Sequence, residues 1–361
     1  MARGSIRKRG STWTAIYYVD GKQKWKGGFK RRMDAEAFLD EVNGQMRDGT
    51  YMDMPDISFE EFAEQFLSGH KARVRASTLE KYRTHCRLQL IPYFGKYTLK
   101  SIRPLDIERF LARLNDSGLG ATTQKGYLIT LKMLLRKACE LGYLTKSPAE
   151  FTKPPRVVRV EMQVLDPEQI ALLIKHTDER YKVLMMAACY TGLRQAELLG
   201  LCWDCVDFNC GLIYVKRTQR DGKFSEVKTD SSLRSVPMPP ALIQALKEHQ
   251  IRQLVELPQN EHNLVFTTTA GTPLNHSNLI KRVLMPALAR AGLSAVRWHD
   301  LRHSYASILL SSGEPIKYVS SLLGHSTANV TLGTYSHVMP ATKADADERI
   351  GSIFTPETAP V

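Results

Sequence analysis

Five side chains that suit phosphate chemistry occur in a fixed order in the second half of the chain. They are Arg194, His299, Arg302, His325 and Tyr335. A guanidinium binds phosphate oxygens through parallel hydrogen bonds and keeps its charge. Imidazoles exchange protons near neutral pH, and a phenol attacks phosphorus once its proton is removed. These groups together could break a phosphodiester, and that chemistry requires no cofactor and no metal ion.

The composition indicates a globular protein with a polyanionic partner. Of 361 residues, 43% are hydrophobic and 24% are charged, which is ordinary, whereas the net charge of +13 is not. Nucleic acid and an anionic membrane surface are the two candidate partners. Because no apolar run reaches about 18 residues and the N-terminus lacks the apolar core of a signal peptide, we expect a cytoplasmic protein without membrane segments.

Residues 1–55 predict a small sheet followed by a helix. Asp20-Gly21 is a strong hairpin turn signal between two runs rich in aromatic and β-branched residues. The strands are expected at Ser5–Arg7, Thr14–Val19 and Gln23–Lys26, and the helix at Met33–Arg47, with Ala37, Phe38 and Met46 among its apolar positions.

The same N-terminal module carries most of the net charge. Ten Lys or Arg residues and one acid lie between Met1 and Arg32, which leaves +9 of the total +13. The aromatic residues that alternate with these cations are Trp13, Tyr17, Tyr18 and Trp25. A solvated basic surface over a small core would explain this pattern. The pattern favours a sheet that lies in a DNA groove with its cations on phosphates.

Residues 56–151 predict a helical bundle. Ser58 to Glu61 and Ser77 to Glu80 match the capping-box pattern that begins a helix. Two further helices are expected, one from Pro104 with Ile107, Phe110, Leu111 and Leu114 on one face, and one over Ala121–Leu141. Cations gather around the second helix, namely Lys71, Arg73, Arg75, Lys81, Arg83 and Arg87. They form either a solvated face or a DNA contact.

Residues 152–164 predict a basic linker that Pro154-Pro155 stiffens, and it could follow a duplex or simply join two domains. Residues 165–345 predict a mainly α-helical catalytic domain, which begins at a capping box over Asp166–Gln169. A helix is expected at Tyr181–Tyr190 and short strands at Leu212–Arg217, Phe224–Val227 and Ser235–Pro237. Residues 346–361 are a C-terminal tail.

The fold class predicted by these elements is mixed α+β and multidomain. A small three-stranded sheet plus a helix comes first, a helical bundle follows, and a mainly α catalytic domain with a small β-sheet comes last.

Local sequence sharpens the candidate site. Arg194 follows the turn Thr191-Gly192, where Glu197 could hold it, so a capping or salt-bridge role competes with phosphate binding. His299 and Arg302 are three residues apart and hence share one face of a helix.

The run from His299 to Ser307, together with Leu323-Gly324-His325 and Gly333-Thr334-Tyr335, resembles the conserved boxes of the tyrosine recombinase (phage integrase) family. The match places the functional imidazole at His299, so we expect His303 to be a packing residue and His337 a surface bystander. The N-terminal module resembles the arm-binding domain of integrases, and the bundle resembles the family's core-binding domain.

The resemblance implies a role for each catalytic residue. Tyr335 is the nucleophile that forms a 3′-phosphotyrosine, and His299 accepts its proton. The phosphate is held by Arg194, Arg302 and His325. The family carries its general acid, a lysine, on a β-hairpin. Lys228 matches that position, because the pair Lys228-Thr229 comes directly before the expected turn, and Lys223 is the reserve candidate.

The resemblance also implies partners. They are double-stranded DNA at core and arm sites, three further copies of the chain in a tetramer on DNA, and a directionality factor. The tail after Tyr335 would pack on a neighbouring protomer, or it is disordered. Two alternatives remain: a topoisomerase of type IB, and a DNA-binding regulator with a vestigial site.

The chain has six cysteines, and in the cytoplasm we expect free thiols. Cys202, Cys205 and Cys210 could form half of a zinc site. No second pair of cysteines lies downstream, so we expect these three to be buried small hydrophobic residues instead.

Overall fold

A computed structural model describes residues 4–19, 21–48, 56–158, 162–226, 233–256 and 260–335. The chain divides into two compact units, Met1–Arg159 and Val160–Val361. The mixed α+β architecture confirms the predicted fold class. No helix in the described ranges is long and apolar enough to cross a membrane.

The first unit begins with the predicted three-stranded antiparallel sheet and its helix. The elements are β1 (Ser5–Arg9), β2 (Thr12–Val19), β3 (Lys22–Phe29) and α1 (Arg32–Arg47), with strand order β1-β2-β3. Ala35, Leu39 and Val42 are the buried residues of α1. Ala37 is exposed, contrary to the prediction, because it lies two residues and about 200° around the helix from Ala35.

The rest of the first unit is helical, as predicted. Its helices are α2 (Phe59–His70), α3 (Ala76–His85), α4 (Ile91–Phe94), α5 (Pro104–Asp116) and α6 (Ala121–Glu140). A π-helical turn, Cys86–Leu90, joins α3 to α4. The Ser58 capping box is present, whereas the one expected at Ser77 is not, because Arg75 already takes the extended N-cap conformation.

Aromatic and aliphatic residues of the bundle form one core. Phe59, Phe94 and Phe110 are fully buried, and the ring centroid of Phe94 lies 5.6 Å from that of Phe59 and 5.1 Å from that of Phe110. The predicted apolar face of α5 points into this core, since all four of its residues are buried.

The second unit is mainly helical. Its first helices and strands are α7 (Pro167–Lys175), α8 (Glu179–Thr191), α9 (Gln195–Leu199), β4 (Val206–Asp207), β5 (Leu212–Val215), β6 (Arg217–Arg220), β7 (Lys223–Glu226) and β8 (Arg234–Pro237). Its later helices are α10 (Pro240–Glu256), α11 (His276–Leu279), α12 (Met285–Arg290), α13 (Trp298–Ser311), α14 (Ile316–Leu323) and α15 (Ala328–Tyr335).

Two small sheets support the site. One has strand order β4-β5-β8, and β6 pairs with β7 in the other. The strand expected over Leu212–Arg217 is therefore two strands, because the chain changes its pairing partner at Lys216. The predicted capping box at Asp166 is present.

Candidate active site

The turn between α8 and α9 places Arg194. Gly192 takes the left-handed conformation with φ of +60°, and Arg194 is the residue that precedes α9. A Cβ at Gly192 would lie 2.4 Å from Cδ1 of Tyr305. Only glycine fits this conformation and this approach, so the backbone that carries Arg194 is fixed by packing.

Glu197 fixes the side chain of Arg194. Its carboxylate accepts hydrogen bonds from the Arg194 backbone N–H at 2.8 Å and from Arg194 Nη1 at 2.7 Å. The partnership expected between these two residues is confirmed. It leaves further N–H donors of the guanidinium for a ligand, because arginine has five.

The C-terminal end of α14 gathers three arginines. Its last carbonyls have no partner within the helix and carry the negative end of the helix dipole. Three consecutive carbonyls each accept a hydrogen bond from a different guanidinium. The pairs are Arg234 Nε with Leu322 O at 2.6 Å, Arg302 Nη2 with Leu323 O, and Arg194 Nη2 with Gly324 O at 3.0 Å.

Arg234 was missed by the sequence analysis. Its side chain is only 6% exposed, and its Nη1 and Nη2 donate to the two oxygens of Glu197 at 3.2 and 2.8 Å. Arg234 begins β8, and a polar stretch of sequence, Lys228 to Ser232, comes shortly before it. An arginine at that position resembles any solvated strand-end cation, so only its tertiary contacts distinguish it.

The cluster holds more positive than negative charge, and most of it is buried. Burial alone would raise the pKa of Glu197, but Arg234 and then Arg194 lower it below its usual value, so Glu197 is ionised. Burial, followed by the charge of Arg194, lowers the pKa of Arg302 to about 9, and this guanidinium is still cationic at neutral pH. The cluster therefore holds three cations and the one anion of Glu197, and a bound anion would neutralise part of the remaining positive charge.

Two neutral imidazoles lie beside these cations. Burial, and next the charge of Arg302, lower the pKa of His299 and lower that of His325 to about 4. His325 directly follows Gly324, and its Nδ1 is 2.8 Å from Oγ1 of Thr331. Four predicted residues, Arg194, His299, Arg302 and His325, therefore lie in one electrostatic environment.

Tyr335 is the last residue of α15, and its side chain is fully buried. Its ring packs with Ala306, Leu310 and Leu323. Burial raises the pKa of its phenol to about 12, against the charge of Arg302. The hydroxyl is therefore protonated, and its attack on phosphorus requires a group that accepts the proton.

His303, which the sequence predicts to be a packing residue, also contacts the candidate nucleophile. Its Nδ1 lies 2.6 Å from the hydroxyl oxygen of Tyr335. His303 is one helical turn after His299 on α13, and the two rings meet edge-on with centroids 4.7 Å apart. The sequence match favoured His299, but α15 packs so that its tyrosine faces the later turn of α13.

Lys228 and His337 lie outside the described residues, as do Asp20 and the tail from residue 346. The reserve candidate Lys223 is exposed at the start of β7. The general acid therefore stays a prediction from the sequence.

Cys202 and Cys205 are buried, as expected, whereas Cys210 is exposed. The two buried sulfurs lie 3.3 Å apart, and an oxygen of Asp204 completes a group of three ligand atoms within 4.8 Å of one another. Burial raises the pKa of Cys202 to about 12, so its thiol is protonated and packs in the core.

Comparison with known proteins places this site in a family. The chain matches the phage integrase family over residues 163–342, the phage integrase N-terminal SAM-like domain over residues 58–115 and an arm DNA-binding domain over residues 5–46. It is 32% identical over 356 residues to the XerC-like tyrosine recombinase of Caldanaerobacter subterraneus subsp. tengcongensis, with 90% of each chain covered. The chain therefore belongs to the tyrosine recombinase (phage integrase) family, and it is a site-specific DNA recombinase.

Other relatives agree. The ICEBs1 integrase of Bacillus subtilis is 26% identical over 273 residues, which cover 73% of this chain and 74% of the relative. The Tn1549 transposon integrase in complex with transposon right end DNA has a TM-score of 0.70 at 20% identity, with 83% and 100% of the two chains covered. A lambda integrase tetramer bound to a Holliday junction has a TM-score of 0.60 at 18% identity, with 91% and 94% covered. These two structures share the fold.

Gly324→Ala tests how the end of α14 is held. Gly324 has φ of +62°, and a Cβ there would lie 2.8 Å from Nη1 of Arg234 and 3.1 Å from its Cδ. We expect Gly324→Ala to cost about 1 kcal/mol for the left-handed backbone and more for the displaced arginine. Gly313→Ala is the matched control, because Gly313 has φ of +88° with open space around it. Equal losses in the free energy of unfolding for the two variants would contradict the packing described.

Arg234→Met tests the buried ion pair. Removing the guanidinium leaves Glu197 buried with one cation fewer, and we expect the free energy of unfolding to fall by about 3 kcal/mol. Lys182→Ala, which breaks an exposed pair with Glu179, is expected to cost less than about 1 kcal/mol. Urea denaturation of both variants measures the difference. A loss for Arg234→Met as small as that of the control would show that the pair contributes little.

Proposed function

We propose that this recombinase cuts and rejoins DNA through a 3′-phosphotyrosine on Tyr335, and thereby integrates or excises a mobile element or prophage. One observation carries the proposal: three guanidiniums bind carbonyls at the end of α14, directly before His325, and the carboxylate of Glu197 pairs with two of them. Their excess positive charge complements a phosphodiester. The electrostatic stabilisation becomes stronger as negative charge develops on the non-bridging oxygens in the transition state.

The proposed reaction is a transesterification. The phenolic oxygen of Tyr335 attacks phosphorus as the bond to the 5′ oxygen breaks. Free N–H donors of Arg194 and Arg302 bind the non-bridging oxygens, and His325 adds a further hydrogen bond. The departing 5′ oxygen takes a proton from the general acid, for which the resemblance favours Lys228. The new ester retains the energy of the broken bond, so a 5′ hydroxyl from another duplex can reverse the step.

The N-terminal sheet is proposed to bind DNA at arm sites. Tyr18 and Trp25 are each 43% exposed, and the guanidinium of Arg9 lies 4.6 Å from the ring centroid of Trp25. Exposed aromatic rings beside cations offer both stacking surface and phosphate contacts. The match of residues 5–46 to an arm DNA-binding domain supports this role.

The helical bundle is proposed to bind the core site, with the cations around α3 on phosphates. We further propose that four copies assemble on DNA, because a related lambda integrase is known as a tetramer bound to a Holliday junction. A directionality factor and a site of action in the bacterial cytoplasm complete the proposal.

Family membership favours recombination over the two alternatives. The curated relatives are recombinases and integrases. The chain also matches an arm DNA-binding domain, and an enzyme that only relaxes DNA does not need such a domain. A regulator with a vestigial site would have no need for the buried ion pairs that position Arg194.

Tyr335→Phe tests the nucleophile. We expect the wild type to form a covalent protein–DNA complex in EDTA with nicked duplexes tiled from the DNA that flanks the native gene. The variant should bind the same duplexes and form no complex, because the attacking oxygen is gone. Denaturing gels measure the product, and Tyr318→Phe, at an exposed tyrosine, is the control. A complex that persists in Tyr335→Phe would refute the assignment.

A further inference from the structure

The hydroxyl of Tyr335 has one hydrogen-bond partner among the described residues, and it is His303. The 2.6 Å separation joins the phenolic oxygen to Nδ1 of the imidazole. The resemblance to the family gives the proton-accepting role to His299, yet no hydrogen bond between His299 and Tyr335 occurs in the described part of the chain.

The protonation states of the two groups allow the Tyr335 hydroxyl to donate this hydrogen bond. Burial, and next the charge of His299, lower the pKa of His303 to about 4, so the ring is neutral at pH 7. The phenol is protonated, because burial raises its pKa to about 12. A neutral imidazole has one donor and one acceptor nitrogen. If the Tyr335 hydroxyl donates to Nδ1, its proton has an acceptor and the other ring nitrogen carries the imidazole hydrogen.

Charged groups around His303 favour this arrangement. The titratable and charged groups that face it are His299, Asp300, Arg302 and Arg297 from α13 and its N-cap, and Tyr335 from α15. The cations keep the ring neutral before reaction. Asp300, which is buried and ion-paired with Arg297, favours the imidazolium that would form during reaction.

Resting on the proposed nucleophile, we propose that His303 is a catalytic residue that accepts the proton of Tyr335. The O–H bond of the phenol breaks and its proton forms an N–H bond at Nδ1. The oxygen–phosphorus bond forms while the bond to the 5′ oxygen breaks, and that oxygen takes its proton from the general acid. In rejoining, the imidazolium returns its proton to the phenol. His299 then lies beside the arginines, where it faces the proposed phosphate and not the phenol.

The test compares two substitutions of His303 in the full chain. The side-chain oxygen of His303→Asn can accept a hydrogen bond near the place of Nδ1 but cannot take up the proton, whereas His303→Ala can do neither. Single-turnover cleavage of the nicked duplex is measured at saturating protein, so that the observed rate does not depend on DNA affinity. His262→Asn, at an exposed histidine, is the matched control.

Both variants are expected to cleave about 100-fold more slowly than the wild type at pH 7, with unchanged DNA affinity. The wild-type rate should be nearly flat from about pH 6 to pH 8, because neutral His303 and charged Arg302 are both present throughout that range. The variant rates should rise about tenfold per pH unit, since the phenol must first lose its proton to solvent. A residue with a purely structural role would lower the rate without adding this slope.

Two results would overturn the inference. A His303→Asn rate equal to that of the wild type would mean that a hydrogen bond alone is needed. A faster His303→Ala variant would mean that His303 restrains the tyrosine. If the wild type cleaves and Tyr335→Phe does not, either result refutes the role of His303 and leaves the proposed function standing. Covalent complex in Tyr335→Phe would instead refute the proposed function.

Discussion

The carboxylate of Glu197 is the interaction on which the site depends. It is 3% exposed and binds two guanidiniums, one from the turn before α9 and one from β8. Without it, three cations would lie together at the end of α14 with no contact to a carboxylate. Buried ion pairs rarely add much net stability, because desolvation offsets the Coulomb attraction. Their value here is positional, since Glu197 and three helix-end carbonyls hold each guanidinium before any substrate arrives.

Such preorganisation explains how the fold serves the chemistry. Donors that are already oriented need no rearrangement when charge develops in the transition state, and a partly dry environment strengthens them. The glycines that end α8 and α14 contribute to this preorganisation. Gly192 allows α8 to end against Tyr305, and Gly324 allows Arg234 to lie against the end of α14. Small residues thus bring three separate elements within hydrogen-bonding distance, and the imbalance of charge that remains is what a phosphate would satisfy.

The features that could be predicted from the sequence are those that residue spacing along the chain determines. The relation of His299 to Arg302 follows from helical period, that of Arg194 to Glu197 from the turn, and the sheet and helices of the first unit from their patterns. Prediction failed where tertiary packing decides. Arg234 resembled a solvated strand end, and His303 seemed redundant beside His299 until α15 placed Tyr335 against it. The helix begins before Ser77 because the backbone of Arg75 already turns into it. Lys228 stays a prediction.

The most direct test of the central claim removes the charge of the scissile phosphate. A methylphosphonate at that position is uncharged, so the buried cations lose their electrostatic partner. Single-turnover cleavage of both substrates by the wild type and by Arg302→Ala forms a thermodynamic cycle. If the arginines stabilise phosphate charge, Arg302→Ala will cost about 100-fold or more on the phosphodiester and far less on the methylphosphonate. An equal loss on both substrates would contradict the account, because Arg302 would then act on something other than that charge.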